Sequence, residues 1–162
     1  MSKLKVRDLM TTQLVTLLPT DTVRKAAILF AVDNISGAPV VDNRNHLLGI
    51  LSENDILKLI MREQLLLESK NYNGSMLTYP MDSASEPDDY LKKISEELSN
   101  RPVSDVMITT VLTTTPDTEV IEALRSMINM NVNRIPVVEK GIVLGIISRG
   151  DIIFSLYNRK KA

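Results

Sequence analysis

Two polar pairs stand inside otherwise apolar stretches of this chain: Ser52 with Asp55, and Ser148 with Asp151. A serine three residues ahead of an aspartate can do two kinds of chemistry. At a helix N-terminus the hydroxyl accepts from the third backbone N–H while the carboxylate reaches back to the N–H of the cap, the capping-box spacing with Asp in place of Glu. At a cleft edge the same carboxylate accepts two hydrogen bonds from a vicinal diol, as dinucleotide-binding folds use an acidic residue on a ribose. Helix chemistry alone leaves both readings open. The pairs occur in matching surroundings, Gly49-Ile50-Leu51-Ser52-Glu53-Asn54-Asp55-Ile56 and Gly145-Ile146-Ile147-Ser148-Arg149-Gly150-Asp151-Ile152. Catalysis rarely needs its key residues twice in one chain, whereas a pseudo-symmetric binding cleft does.

Other chemistries find few candidates. The chain has no cysteine, which removes disulfides, thiolate catalysis and zinc-thiolate sites together. His46 is the one histidine, and it follows the polar run Asp42-Asn43-Arg44-Asn45, which reads as an exposed turn. A catalytic triad or a transition-metal centre would have to be built around it alone, so no metal and no required cofactor are expected. Nineteen Lys and Arg against twenty Asp and Glu give a net charge of −1, without the basic excess that nucleic-acid binders use to replace counterions. The N-terminus has early charge but no apolar h-region, and the charge-free apolar stretches fall short of the ~20 residues a membrane helix needs. These features predict a soluble, cytoplasmic protein that is not an enzyme and binds neither nucleic acid nor membrane.

The 162 residues, 44% of them hydrophobic, suit one domain or two small lobes sharing a core. Self-comparison separates them into two copies of one pattern. Val6-Arg7-Asp8-Leu9-Met10 matches Val103-Ser104-Asp105-Val106-Met107, Pro19 matches Pro116, Ala26 matches Ala123, Asn34 matches Asn131, and Pro39-Val40-Val41 matches Pro136-Val137-Val138. The register then slips by one residue in a turn. Each copy opens with a β-branched segment, Leu14-Val15-Thr16 or Val111-Leu112-Thr113, ending at a proline. Thr20 or Asp21, and Asp117 or Thr118, are placed to cap the helix that follows. Val23, Ala26, Ala27 and Phe30, and then Val120, Ala123, Leu124 and Met127, recur at helical spacing. Two apolar runs around a short polar turn then read as a hairpin, and Ser52 or Ser148 opens a second helix.

The unit is β-α-β-β-α, twice. The expected class is α+β, sandwich-like, with repeats over residues 3–60 and 103–158. One copy is too short to bury a generous core alone, so the two are expected to pack face to face about a pseudo-twofold axis. Residues 61–102 belong to neither copy; Met81 to Pro87 read as loop, and a short helix is expected near 88–99, with Tyr90, Leu91, Ile94 and Leu98 on one face.

These motifs, in order and in both copies, resemble a tandem pair of CBS domains, also called a Bateman module, here expected to stand alone. The resemblance covers nearly all of residues 3–158 apart from the insert. It implies a homodimer that binds an adenosine-containing ligand, AMP, ADP or ATP first, in clefts between the repeats and signals to a regulated protein by changing conformation. It implies one site combining Ser148 and Asp151 with Val15, Ile35, Ser36 and Ala38, and another combining Ser52 and Asp55 with Leu112, Val132, Asn133 and Ile135. Arg134 and Arg149 are the cations placed for phosphate; Gly37 and Glu53 stand at their places in the first repeat, which favours the Asp151 site for a nucleotide. S-adenosylmethionine, or a dimeric interaction module with degenerate clefts, are the alternatives.

Overall fold

The structure is a computed structural model, in which residues 2–77 and 89–157 are described. The expected loop from Met81 to Pro87, Asp88 and residue 158 lie outside them. The elements in order are α1 (Val6–Leu9), α2 (Val23–Asp33), β1 (Gly37–Val41), β2 (Leu47–Ser52), α3 (Glu53–Ser69), α4 (Asp89–Ser99), α5 (Val120–Met130), β3 (Arg134–Glu139), β4 (Ile142–Ser148) and α6 (Arg149–Tyr157), with a 3-10 turn at Val103–Asp105. Each repeat is therefore helix, hairpin, helix, with a two-stranded sheet of β1 and β2 or of β3 and β4. The opening strand of the second repeat shrinks to one parallel bridge, Thr114 to Val137. Pro116, two residues on, has no N–H with which to continue a ladder.

Helical spacing places the expected face inward. Val23, Ala26 and Phe30 are buried in α2, and Val120, Ala123 and Met127 in α5, whereas Ala27 is exposed and Leu124 half-buried. The caps differ from expectation. Thr22 caps α2, accepting from Lys25 N, and Glu119 precedes α5 with no side-chain cap bond. The earlier polar residues are used elsewhere: the Asp21 carboxylate takes Leu18 N, one turn back, and Lys25 Nζ, one turn ahead, each at 2.8 Å, and Thr118 Oγ1 lies 2.8 Å from Thr115 Oγ1. Asn34 and Asn131 end the two helices in the left-handed region, at φ 51° and 52°, a conformation that asparagine tolerates better than most residues.

The one-residue slip between the copies has its cause in the hairpin turns. Lys140 and Gly141, at φ 51° and 81°, join β3 to β4 by a two-residue turn with both residues left-handed. In the first copy the Asp42 carboxylate closes a longer turn by accepting from Arg44 N and His46 N.

The chain divides into two compact units that are not the two repeats. One contains residues 2–16, 39–49 and 108–157; the other contains 17–38, 50–77 and 89–107. The opening segment of each repeat thus joins the other repeat's first helix. In the first unit, Val6 N donates to Thr118 O at 2.9 Å, Arg7 N to Pro116 O at 3.0 Å, and Val120 N to Leu4 O at 2.9 Å. In the second, Val103 N donates to Asp21 O at 2.7 Å, Ser104 N to Pro19 O at 3.0 Å, and Val23 N to Arg101 O at 2.9 Å. These are the same three bonds at equivalent positions. Lys3 adds an ion pair to Glu119 at 3.0 Å, and Lys5 and Arg7 both pair with Asp117. The first unit's core gathers Val6 with Val120, Ala123, Met127, Ile135, Val137, Ile147 and Ile152.

In the second unit the insert supplies α4, which buries Leu91 and Leu98 and leaves Ile94 half-buried and Tyr90 exposed. Tyr72 and Tyr90 pack in a tilted arrangement, ring centres 5.4 Å apart and planes at 59°, near the start of α4, and Arg101 pairs with Glu63 at 3.9 Å beyond its end. The two contacts set α4 antiparallel to α3.

Candidate ligand-binding site

The capping reading of both Ser-Asp pairs is realised. Ser52 N donates to Asp55 Oδ2 at 2.9 Å, Asp55 N returns a bond to Ser52 Oγ at 3.3 Å, and the Ser52 hydroxyl also donates to Oδ2 at 2.8 Å. At the second pair, Ser148 N donates to Asp151 Oδ2 at 2.9 Å and Asp151 N to Ser148 Oγ at 3.1 Å. In both, the cap uses Oδ2 alone. Oδ1 of Asp55 and of Asp151 makes no hydrogen bond among the described residues. The ligand reading needs that second oxygen, so one carboxylate can cap the helix and accept from a ligand hydroxyl together. Asp55 is 9% exposed and Asp151 is half-buried.

Each helix start is tied to the loop ahead of its hairpin. Glu53 N donates to Ser36 O at 2.9 Å, and Arg149 N to Asn133 O at 2.9 Å. The structure therefore brings Ser36 beside the Ser52–Asp55 turn and Asn133 beside the Ser148–Asp151 turn. Arg134 lies directly across the β3–β4 ladder from Ser148, and directly opposed residues project from the same face of a hairpin. Arg134 is half-buried, and its strand position is the one opposite the residue that caps α6. Arg149 is used differently from expectation: its Nε donates to Val132 O at 3.0 Å and its Nη2 lies 3.4 Å from Asn131 Oδ1. It braces the end of α5.

The remaining expected residues are spread over several environments. Val15, Ile35, Leu112 and Val132 are half-buried, Ser36 and Asn133 are exposed, and Ala38 and Ile135 are fully buried, Ile135 within the first unit's core. His46 sits in its hairpin turn with Nδ1 3.1 Å from Asp42 Oδ2. The His46 backbone N–H, helped by that of Arg44 and opposed by slight burial, holds the Asp42 carboxyl below its usual range. Sequence reasoning missed a role for Asn131, whose left-handed cap doubles as an anchor for Arg149. Its match to Asn34, both at a helix end, was the available signal. Among the described residues no group of three or more His, Cys, Asp or Glu could hold a metal ion, and no helix is long and apolar enough to cross a membrane.

The CBS domain model matches this chain twice, at residues 6–62 and 103–158. The chain is a CBS-domain protein. Its relatives include the uncharacterized protein MJ1426 of Methanocaldococcus jannaschii, 34% identical over 133 residues that cover 79% of this chain and 77% of that one. They also include CBSX2 of Arabidopsis thaliana, 27% identical over 136 residues; the chain spans 55% of that longer protein. A crystal structure of CBSX2 in complex with AMP superposes at a TM-score of 0.69 with 25% identity, over 95% of this chain and 96% of that one. The CBS pair of protein MJ0100, in complex with 5-methylthioadenosine and S-adenosyl-L-methionine, shares the fold at a TM-score of 0.68 and 21% identity, over 98% of this chain and 100% of that one. CBS-pair proteins are in general regulatory modules, and the two duplicated aspartates of this one occupy the helix starts of such a module.

Proposed function

We propose that this CBS pair is a regulatory module that binds an adenosine-containing ligand and performs no catalysis. The observation that carries the reading is the duplicated Ser-x-x-Asp helix start in which Oδ1 is left out of the cap. The AMP complex of CBSX2 supports adenosine as the ligand class. A ribose diol donates to Asp151 Oδ1, while Arg134, across the ladder from Ser148, faces the phosphate. Binding stabilises the conformation that holds the ligand best, and a regulated protein reads the shifted population. AMP, ADP and ATP are the effectors to try first.

Ligand at a hundredfold excess over Kd adds about 2.7 kcal/mol to stability, enough to see in a melting curve. Thermal unfolding with millimolar AMP, ADP, ATP or S-adenosylmethionine is expected to show a rise in Tm. Asp151→Ala should lose much of it. An unchanged Tm with every adenosine compound would overturn the reading.

A second reading, an interaction module working through a second copy or another protein, is favoured by apolar side chains left outside. Ile153, Phe154, Leu156 and Tyr157 of α6 are 58–81% exposed. Light scattering after size-exclusion chromatography measures whether a dimer forms.

A further inference from the structure

A groove runs between α3 and α4 within the second unit, and every residue lining it falls between the two matched CBS repeats. One wall is Glu63, Leu66, Leu67 and Lys70 of the α3 end; the other includes Lys93, Ile94 and Glu97 of α4. Its volume of about 240 Å³ is below the ~300–1,000 Å³ of sites that enclose a small molecule. Leu67 at the floor is buried, whereas Leu66 is 49% exposed. Because α4 runs antiparallel to α3, charges of one sign collect at each end of the groove. Lys70, just past the end of α3, lies at the same end as Lys93, near the start of α4, and Glu63 and Glu97 lie towards the other. Among the described residues, Lys70 Nζ, Lys93 Nζ and the Glu97 carboxylate make no hydrogen bond or ion pair, and the Glu63 carboxylate has the 3.9 Å pair to Arg101. Lys93 and Glu97 are one turn apart on α4 and still unpaired; lysine ahead of glutamate is the poorer order for such a pair.

We infer that this groove is a contact between two copies of the chain, laid antiparallel, so that Lys70 and Lys93 of each copy meet Glu63 and Glu97 of the other. A twofold interface must be complementary to itself, because the axis brings the same patch against its own copy turned end for end. The groove meets that condition. In one direction Glu63, Leu66 and Lys70 on α3 run alongside Glu97, Ile94 and Lys93 on α4, so both walls read acid, apolar, base. Turned end for end, the order sets base on acid at both ends and apolar on apolar between them. Glu63 to Lys70 spans about 10 Å of helix. A contact so short stays under the ~1,200 Å² that stable assemblies bury, so the association is weak and governed by charge. It depends neither on the adenosine reading nor on the exposed face of α6.

Sedimentation velocity of the full chain over a range of concentrations tests this. The wild type should associate reversibly, and less so as salt rises from about 50 to 500 mM, since exposed charges are screened beyond ~10 Å at 0.1 M. Lys93→Glu alone and Glu97→Lys alone should each weaken association roughly tenfold, because the twofold axis turns one reversal into two like-charge contacts. An equimolar mixture of the two variants should recover the wild-type strength, since each then offers the sign that the other lacks. The chain carrying both reversals should recover it too. Both positions are exposed, and a circular dichroism melt confirms the fold. A mixture that associates no better than its components would overturn the inference, as expected if the groove instead held a helix of another protein. A wild type that stays a single species throughout would also overturn it, and so would association indifferent to both reversals, which places the contact on another face such as α6. Neither reversal touches a Ser-x-x-Asp turn, so the rise in Tm with adenosine compounds is judged separately.

Discussion

Asp21 shows how much one side chain can hold in place. Its carboxylate accepts from Lys25 Nζ and Leu18 N, and its carbonyl accepts Val103 N from the opening segment of the second repeat. Burial pushes the Asp21 carboxyl up, but the hydrogen bonds from Lys25 and Leu18 outweigh it and hold the group below its ordinary value. A carboxyl whose folded pKa is lowered stabilises the fold while it is ionised. That stability is full above the unfolded value of about 3.9 and is lost as pH falls through the folded one. Asp21→Asn should therefore unfold at lower urea than the wild type at pH 7, and the gap should narrow below about pH 4. Urea midpoints at pH 7 and pH 3 measure it; a gap that stays constant would remove Asp21 ionisation from the account. The duplicated Asp55 and Asp151 join local capping to an open oxygen, so a change at either mixes a structural with a binding effect.

At the scale of elements, the Gly145 of β4 exists for a neighbour far away in sequence. A Cβ there would stand 2.9 Å from Met10 Sδ and 2.9 Å from Thr11 O. The backbone of residues 10 and 11 crosses β4 at that point, with Thr11 N to Ile146 O at 2.9 Å and Ile146 N to Thr11 O at 3.0 Å. Gly145→Ala should destabilise by about 1–3 kcal/mol, the usual cost of overpacking. Pairing it with Met10→Ala should restore only part, because a flexible thioether can move aside and a hydrogen-bonded carbonyl cannot. Chemical unfolding of the single and double variants reads this, and full rescue would mean that the Thr11 backbone yields. The glycine of the Gly-x-x-Ser motif thus serves the approach of the opening segment, while the serine two strand positions beyond Ile146 serves the helix.

At the scale of the molecule, the exchange of opening segments makes the two repeats a single folding problem. Val6 is fully buried in a core made otherwise from the second repeat, and Val103 is fully buried in the unit that holds α2. Val6→Ala should cost about 2 kcal/mol, from the value of burying a valine side chain. The loss should appear as weaker amide protection in α5, β3 and β4 before α2. Hydrogen exchange resolved by segment distinguishes them. Greater loss in α2 than in α5 would contradict the exchange.

The sequence alone determined what is settled within a few residues. The duplication, the serine caps with aspartate three residues on, the paired asparagines at the helix ends and the buried faces of α2 and α5 were all legible, because hydrogen bonds at i and i+3, φ preferences and helical period depend on near neighbours. The caps of the first helices were misplaced because Asp21 and Thr118 had a second local use, in the turn before the helix. Tertiary structure decided which repeat each opening segment joins, that Arg134 pairs with Ser148 in the β3–β4 register, and that Arg149 turns back to α5. The physical reason lies in the duplication itself. Pro19 to Val23 and Pro116 to Val120 offer the same backbone bonds, so the local sequence of an opening segment cannot tell its own repeat from the other. The choice falls to packing across the whole chain, such as the close seat of Met10 and Thr11 on Gly145.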